Sequence, residues 1–347
     1  LWSISLFLIQ NGASGLWWLL RPSASALVLL MVAVALRIGF YPFQVLYIQA
    51  PGRSRPLSVI GMLSPMMGIA LLYRLMLLPG LHGLPIWGVA WACLSVFWLG
   101  LKAITSRRWR ALVAAGYGVF LMVVAGALAQ NDPELLMVGV ATWIACMALL
   151  FIARRYDRAR HLWSLPTSIA FAFLLGCPPS PLGRIYREVL VSVPWGWRGV
   201  FLLGLVLTVT ALLQSAVRQA AGRVVPPTTH RKIALISGWG IVVGVLAALV
   251  TRVDAGIVSA LSVGLWLLAL AAGTALLYWG GPVRRVLQRA QPVVELLDMQ
   301  WFYRTVWQGA EHLLSVLRIG AEVVEGSGSV LWSVLVLLLV LVVLGSV

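Results

Sequence analysis

Long apolar stretches, each about the length of a bilayer crossing, follow one another along this chain of 347 residues. Charged residues make up only 10% of the sequence, against about 25% in soluble domains, and the mean hydropathy is +0.96. An apolar stretch of about 18 or more residues can span a membrane as a helix. The sequence therefore predicts an all-α polytopic membrane protein with about eleven transmembrane helices. The predicted spans are residues 2–20, 24–48, 56–78, 84–101, 110–129, 134–153, 163–193, 199–218, 233–251, 256–279 and 330–346.

The basic residues between these spans are unevenly distributed. The net charge is +16, and most of it falls in alternate loops, at Arg53–Arg55, Arg107–Arg110, Arg154–Arg160 and Arg218–Lys232; Lys102 is counted with the same side. Under the positive-inside rule these loops are cytoplasmic. We therefore expect an integral protein of a bacterial-type inner membrane, in contact with lipids, and we do not expect nucleic acid as a partner.

Arg37 lies within an apolar run and is followed closely by Pro42. A cation at the bilayer centre costs roughly 2.5–3.5 kcal/mol on insertion scales, so Arg37 is expected to face a protein interior, a wet cavity or a counter-charge. Pro42 is expected to break the helix and to free backbone groups that lipid cannot satisfy. A buried charge beside a broken helix is typical of ion paths in transporters.

A second interruption is predicted in residues 163–193, which are too many for one straight helix and too few for two. If this stretch crossed twice, the cluster Arg218–Lys232 would fall on the wrong side of the membrane. We therefore predict a single crossing with a non-helical break at about Gly176–Leu182. The residues predicted to break it are Pro178, Pro179 and Pro181.

Three charged residues follow this second break. Arg184 and Glu188 are four residues apart, a spacing that permits an ion pair on one helix face, and Arg187 lies between them. Together with Arg37 they are the predicted ion-path or intramembrane charges. Three interpretations stay open for the arginines. They are permanent cations that hold helix ends or an acid, fixed charges beside a water-mediated path, or ligands of an anion.

Residues 283–329 mix apolar and charged side chains, with a restart at Pro292. This pattern predicts an amphipathic lateral helix on the cytoplasmic side. We therefore divide the chain into a transmembrane bundle (1–282), the lateral segment (283–329) and a C-terminal anchor helix (330–347). No nucleotide loop, nucleophile motif or metal-ligand spacing is present in the sequence, so no catalytic, cofactor-binding or metal residues are predicted.

The chain resembles the antiporter-like, proton-translocating membrane subunits shared by respiratory complex I and multi-subunit cation/proton antiporters. The resemblance rests on Arg37–Gln44 with Pro56–Ser58, on Arg107–Tyr117, on Gly176–Tyr186 and on Leu297–Arg304. In that family lysines occupy the positions of Arg37 and Arg184, and a further lysine or histidine falls near Met66. A family glutamate belongs to a helix upstream of this chain. The resemblance thus implies a degenerate, N-terminally shortened member.

These departures bear on mechanism because arginine stays protonated in proteins, whereas burial and neighbours can shift the pKa of a lysine. The expected function is that of a structural or coupling subunit with impaired or modified proton translocation, without a catalytic centre of its own, among other membrane subunits of a hetero-oligomeric complex. One alternative is an active half-channel for protons or monovalent cations. Another is a membrane partner of an inorganic-carbon or other substrate uptake complex.

Overall fold

The computed structural model describes residues 24–44, 65–77, 86–106, 109–153, 161–178, 180–220, 229–252 and 260–279, with scattered positions between 281 and 315. The described residues form helices and connecting turns without a β-strand, so the prediction of an all-α fold is confirmed for this part of the chain. The predicted spans 2–20 and 330–346 lie outside the described residues.

Ten helices are described, and they are numbered here in chain order. They are α1 (Ala24–Ile38), α2 (Met66–Met76), α3 (Ile86–Thr105), α4 (Trp109–Gln130), α5 (Pro133–Ala153), α6 (His161–Leu174), α7 (Pro181–Ser192), α8 (Trp195–Ala220), α9 (Thr229–Arg252) and α10 (Ala260–Trp279).

Five stretches in the described part of the chain are long and apolar enough to cross a membrane, which indicates a membrane protein. They are Trp87–Thr105, Arg110–Gln130, Pro133–Leu150, Trp195–Val217 and Ala260–Trp279. Shorter apolar helical stretches lie in α1, α2, α6 and α9. The count of eleven spans and the sidedness of the loops stay predictions.

Helix α4 is the central helix of the bundle. Every residue from Ala111 to Leu128 is buried, which is the mark of a helix surrounded by others rather than one facing solvent or lipid. Helices α3 and α8 pack closely against each other through Gly100 and Gly204. A Cβ on Gly204 would lie 2.9 Å from the Phe97 backbone, so this helix crossing requires glycine.

Two helices end abruptly where the sequence predicts breaks. Helix α1 ends at Ile38, before Pro42, and the chain turns at Gly39 with φ +80°. Helix α6 ends at Leu174, and Gly176 has φ +75°. Both positive φ values favour glycine. Both helices therefore end beside the predicted interruptions, and the first ends before the glycine rather than at the proline.

Pro181 was predicted to break a helix, and here the structure corrects the sequence analysis. Pro181 is the first residue of α7, preceded by Ser180 as the N-cap. A proline fits the first helical position because its missing N–H would have no intrahelical partner there. Pro178 lies in the non-helical turn, whereas Pro179 lies outside the described residues.

The chain divides into two compact units, Leu1–Gln291 and Pro292–Val347. Within the second unit, the described positions between Pro292 and Ser315 are helical and exposed. The Thr305 hydroxyl donates to the Trp301 carbonyl at 2.8 Å, the bond expected one helical turn apart. The lateral placement of this segment stays a prediction.

Candidate functional site: the two helix interruptions

The first interruption follows Ile38, whose carbonyl is the last in α1. The buried Tyr117 hydroxyl of α4 donates to that carbonyl. One turn earlier, the Ala35 carbonyl accepts the N–H groups of Gly39 at 2.8 Å and Phe40 at 2.9 Å. A helix end leaves carbonyls without intrahelical donors. Here the Ala35 carbonyl is satisfied by its own turn and the Ile38 carbonyl by a neighbouring helix.

The α3 helix holds the next residue of this interruption, Tyr41. The Tyr41 N–H donates to Ser95 Oγ at 2.8 Å, and Trp91 Nε1 donates to the Tyr41 carbonyl at 2.6 Å. The Tyr41 and Trp98 rings lie 5.1 Å apart. Residues 91, 95 and 98 share one helix face because they are spaced by four and three positions. That face of α3 thus supplies both a donor and an acceptor to the non-helical backbone.

The second interruption follows Leu174, whose carbonyl is the last in α6. The buried Tyr186 hydroxyl of α7 donates to it at 2.7 Å. The three preceding carbonyls also accept donors from the turn. The Phe171 carbonyl accepts the Leu175 N–H at 2.8 Å, and the Ala172 carbonyl accepts the Cys177 N–H at 2.9 Å. The Phe173 carbonyl accepts the Gly176 N–H at 2.9 Å and the Ser180 hydroxyl at 3.1 Å. The last four carbonyls of α6 are therefore all satisfied within the protein.

The start of α7 is closed in the same way. Ser180 Oγ accepts the Leu182 N–H at 3.2 Å, which is N-capping geometry. A Cβ on Gly183 would overlap the Gly176 carbonyl oxygen, so glycine is needed where α7 passes the turn. The non-helical residues are consequently packed tightly between the two helices.

Both interruptions therefore end on a carbonyl that accepts a buried tyrosine hydroxyl. Backbone groups freed at membrane depth must be satisfied by protein or by water, because lipid offers no hydrogen bonds. Broken helices of transporters use such carbonyls to bind ions. In this chain protein donors already occupy the terminal carbonyls of α1 and α6.

The arginines predicted for the ion path lie beside these breaks in different settings. Arg37 is in the last turn of α1 with an exposed side chain, although the sequence analysis expects it to face inward. Arg184 is half-buried in the first turn of α7. Among the described residues the structure records no hydrogen bond or ion pair for Arg184.

Glu188 pairs with a different arginine from the one that helical spacing suggests. Its carboxylate forms a close ion pair with the adjacent Arg187, and both side chains are about one-fifth exposed, at 18% and 22%. Gln130 Nε2 donates to Glu188 Oε2 at 3.0 Å and to Ser192 Oγ at 2.6 Å. Because Gln130 is the last residue of α4, Glu188 lies level with a helix end rather than with the middle of the bundle.

Sequence reasoning missed two buried polar residues, Gln44 and Lys102. Gln44 is fully buried at the end of the described part of the first interruption. Lys102, which the sequence analysis counts with the cytoplasmic basic residues, is 8% exposed in the last turn of α3. Its position near the end of an apolar stretch could not reveal which face of the helix would be covered.

No group of three histidine, cysteine, aspartate or glutamate side chains that could hold a metal ion occurs in the described ranges. Neither a protein-family model nor a curated protein matches the chain. Functional inference therefore depends on the geometry of the two interruptions and on the charged residues beside them.

Proposed function

We propose that this chain is a membrane subunit of a complex I-like or cation/proton antiporter-like assembly, in which it serves packing and coupling rather than pumping. The observation that carries the proposal is the closure of both helix interruptions by tyrosine hydroxyls, Tyr117 on Ile38 and Tyr186 on Leu174. A subunit with such closed breaks keeps the architecture of a transporter while its helix ends need no transported ion.

The identity of the nearby cations favours the same role. Arg37 and Arg184 stand where the resembling family has lysines, and an arginine does not release its proton under working conditions. Each arginine keeps a fixed positive charge beside a helix break. In this proposal the charge helps to set the packing of the subunit, and proton transfer through these two positions is lost.

We further propose that α6 and α7 cross the membrane once between them. At about 1.5 Å per residue, neither helix alone reaches across a hydrocarbon core about 30 Å thick. Ile185 of α7 packs against Gly126 near the end of α4 and against Gly139 near the start of α5. Helix α7 thus runs beside the end of the bundle at which α4 finishes, which supports its role as the second half of one crossing.

The identity of the proteins that copurify with the chain tests this proposal. Purification of the affinity-tagged chain from its own membranes in a mild detergent, followed by mass spectrometry, should yield sister antiporter-like subunits or redox subunits in stoichiometric amounts. Copurification of a soluble metalloenzyme instead would favour the substrate-uptake alternative. Recovery of the chain as a monomer without stoichiometric partners would contradict the proposed role.

The cluster around Glu188 favours a second candidate, the conducting half-channel. Glu188 is a titratable group joined by hydrogen bonds or ion pairing to Gln130 and Arg187, where α7 meets the end of α4. Proton or cation flux into proteoliposomes should then fall about tenfold or more in Glu188→Gln, since acid–base groups contribute at least that much to proton transfer. Glu134→Gln is the matched control, because Glu134 is an exposed acid at the start of α5. The coupling role predicts equal flux in both variants.

A further inference from the structure

Large polar side chains are rarely buried in the described part of this bundle. Aromatic residues aside, the buried polar side chains there are serines and threonines with two exceptions, Gln44 and Lys102. A buried hydroxyl is easily satisfied by the preceding helical turn. Thr142 and Thr208, for example, donate to carbonyls four residues back, each at 2.8 Å. A carboxamide cannot be satisfied so simply, because it carries two donors and an acceptor.

Gln44 is the clearest exception. Its side chain is 0% exposed, and among the described residues neither Nε2 nor Oε1 has a hydrogen-bond partner. Buried polar groups are satisfied almost without exception in proteins, by protein atoms or by ordered water. Both ends of this carboxamide therefore call for a ligand that the described residues do not provide.

The position of Lys102 extends the polar region. Tyr41, three residues before Gln44, is held by the α3 face that carries Trp91, Ser95 and Trp98. Lys102 follows Trp98 by four residues and so continues that face by one turn, and it too is buried. Lys102 is thus a buried polar side chain on the α3 face that binds Tyr41, and Gln44 is a second one, three residues after Tyr41.

We propose that the Gln44 carboxamide binds water inside the bundle, in a hydrated polar site at the first interruption. Water can accept from Nε2 and donate to Oε1, so it satisfies both ends of the carboxamide. A bare metal cation would satisfy only the oxygen. An anion would satisfy only the amide donors.

The second interruption offers no such site. Its two buried hydroxyls, those of Ser180 and Tyr186, both donate to carbonyls of α6. The inference is therefore that water is bound at the first interruption and not at the hydroxyls of Ser180 and Tyr186 in the second. It does not depend on which assembly contains the chain, or on whether the chain conducts ions.

X-ray radiolytic footprinting tests this directly, because radicals formed from bound water oxidise the side chains beside it. The complete chain is irradiated in detergent, and oxidation is read peptide by peptide. With water bound at Gln44, oxidation at the half-buried Tyr41 and Phe43 should be about fivefold faster than at the buried Tyr186. Trp143, which is 2% exposed in the core, serves as the dry internal reference. Equal oxidation rates at Tyr41 and Tyr186 in the wild type would overturn the proposal without any variant.

A substitution assigns the water to the carboxamide. Gln44→Leu keeps a similar volume and removes both hydrogen-bonding ends, so oxidation at Tyr41 should fall clearly below its wild-type rate. Ser95→Ala, on α3, is the control at the same interruption, since Ser95 bonds the Tyr41 backbone rather than the carboxamide. Unchanged oxidation in a folded Gln44→Leu protein would overturn the assignment. If that variant fails to fold, Gln44→Met repeats the test with a more adaptable side chain.

Discussion

The two interruptions solve the same problem with partners drawn from different distances along the chain. The first is closed by Ser95, Trp91 and Tyr117, which lie 54, 50 and 79 residues from the groups they bind. The second is closed by Ser180 and Tyr186, only 7 and 12 residues from theirs. The first closure therefore exists only once α1, α3 and α4 have packed, whereas the second is a local motif that α6 and α7 carry with them.

The comparison also separates how each break treats polar groups. The second satisfies the last four carbonyls of α6 and both of its buried hydroxyls within about a dozen residues. The first satisfies the Ala35 and Ile38 carbonyls and both backbone groups of Tyr41, but among the described residues the buried carboxamide of Gln44 has no partner. The two breaks thus differ in the polar side chain that is left for solvent.

A larger side chain at the second break should have the largest effect on stability. Gly183→Ala places a Cβ against the Gly176 carbonyl oxygen, and overpacking of this kind typically costs about 1–3 kcal/mol. Thermal unfolding of the purified protein, followed by circular dichroism, should show a clearly lower Tm. Gly196→Ala is the control, because a Cβ there meets nothing within 4 Å. Equal Tm values for the two variants would show that the turn is looser than described.

Removal of the tyrosine hydroxyls that close the two breaks should have the second-largest effect on stability. Tyr117→Phe and Tyr186→Phe each leave a buried helix-end carbonyl without its donor, at a cost of about 1–3 kcal/mol. Tyr117→Phe should also speed hydrogen exchange in α1, because its bond joins α1 to α4, while Tyr186→Phe should speed exchange only around residues 171–186. Tyr278→Phe, at a side chain that is 79% exposed, should change neither property. Exchange that rises equally across the bundle in both variants would remove the distinction between distant and local closure.

Loss of the serine hydroxyls tests whether the two interruptions are independent motifs. Ser180→Ala removes an N-cap, which typically costs about 1 kcal/mol, and Ser95→Ala removes one acceptor for the Tyr41 N–H at a similar cost. The two losses should add in the double variant, since they act on separate motifs. A strongly non-additive Tm change would mean that the two interruptions are coupled.

The smallest effect is expected at the charged cluster beyond the second break. Arg187 and Glu188 are partly exposed, and pairs of this kind contribute about 0–1 kcal/mol. Arg187→Gln should therefore lower the Tm by no more than about a degree or two, and high salt should erase the difference. A large loss of stability that persists at high salt would indicate that the pair is shielded from solvent by a partner.

The sequence predicts the second interruption better than the first for a physical reason. Proline density and a serine before Pro181 are local signals, and they act on a break that is itself local. Helix α1 ends at Ile38, before Pro42, because Gly39 adopts a positive φ and residues of α3 and α4 bind the backbone there. No local pattern marks Tyr117 as the donor, since its partner is distant in sequence.

The charged residues show the same limit. The spacing of Arg184 and Glu188 permits a pair, but Glu188 bonds Arg187 and Gln130 instead. Lys102 resembles a loop cation when hydropathy alone is considered, and only the packing around α3 reveals that it is buried. Spacing and hydropathy indicate which residues share a helix face, whereas burial and partner choice depend on the neighbouring helices.

The most direct test of the central claim, that protein donors rather than bound ions close both interruptions, is the dependence of stability on monovalent cations. The Tm of the purified protein is measured in sodium, potassium, lithium and choline chloride at one ionic strength. A cation bound to the folded state at 100 times its Kd would add about 2.7 kcal/mol, a shift of several degrees. The account predicts the same Tm in all four salts to within about one degree. A Tm that rises with the concentration of one alkali cation, and not with choline, would contradict it.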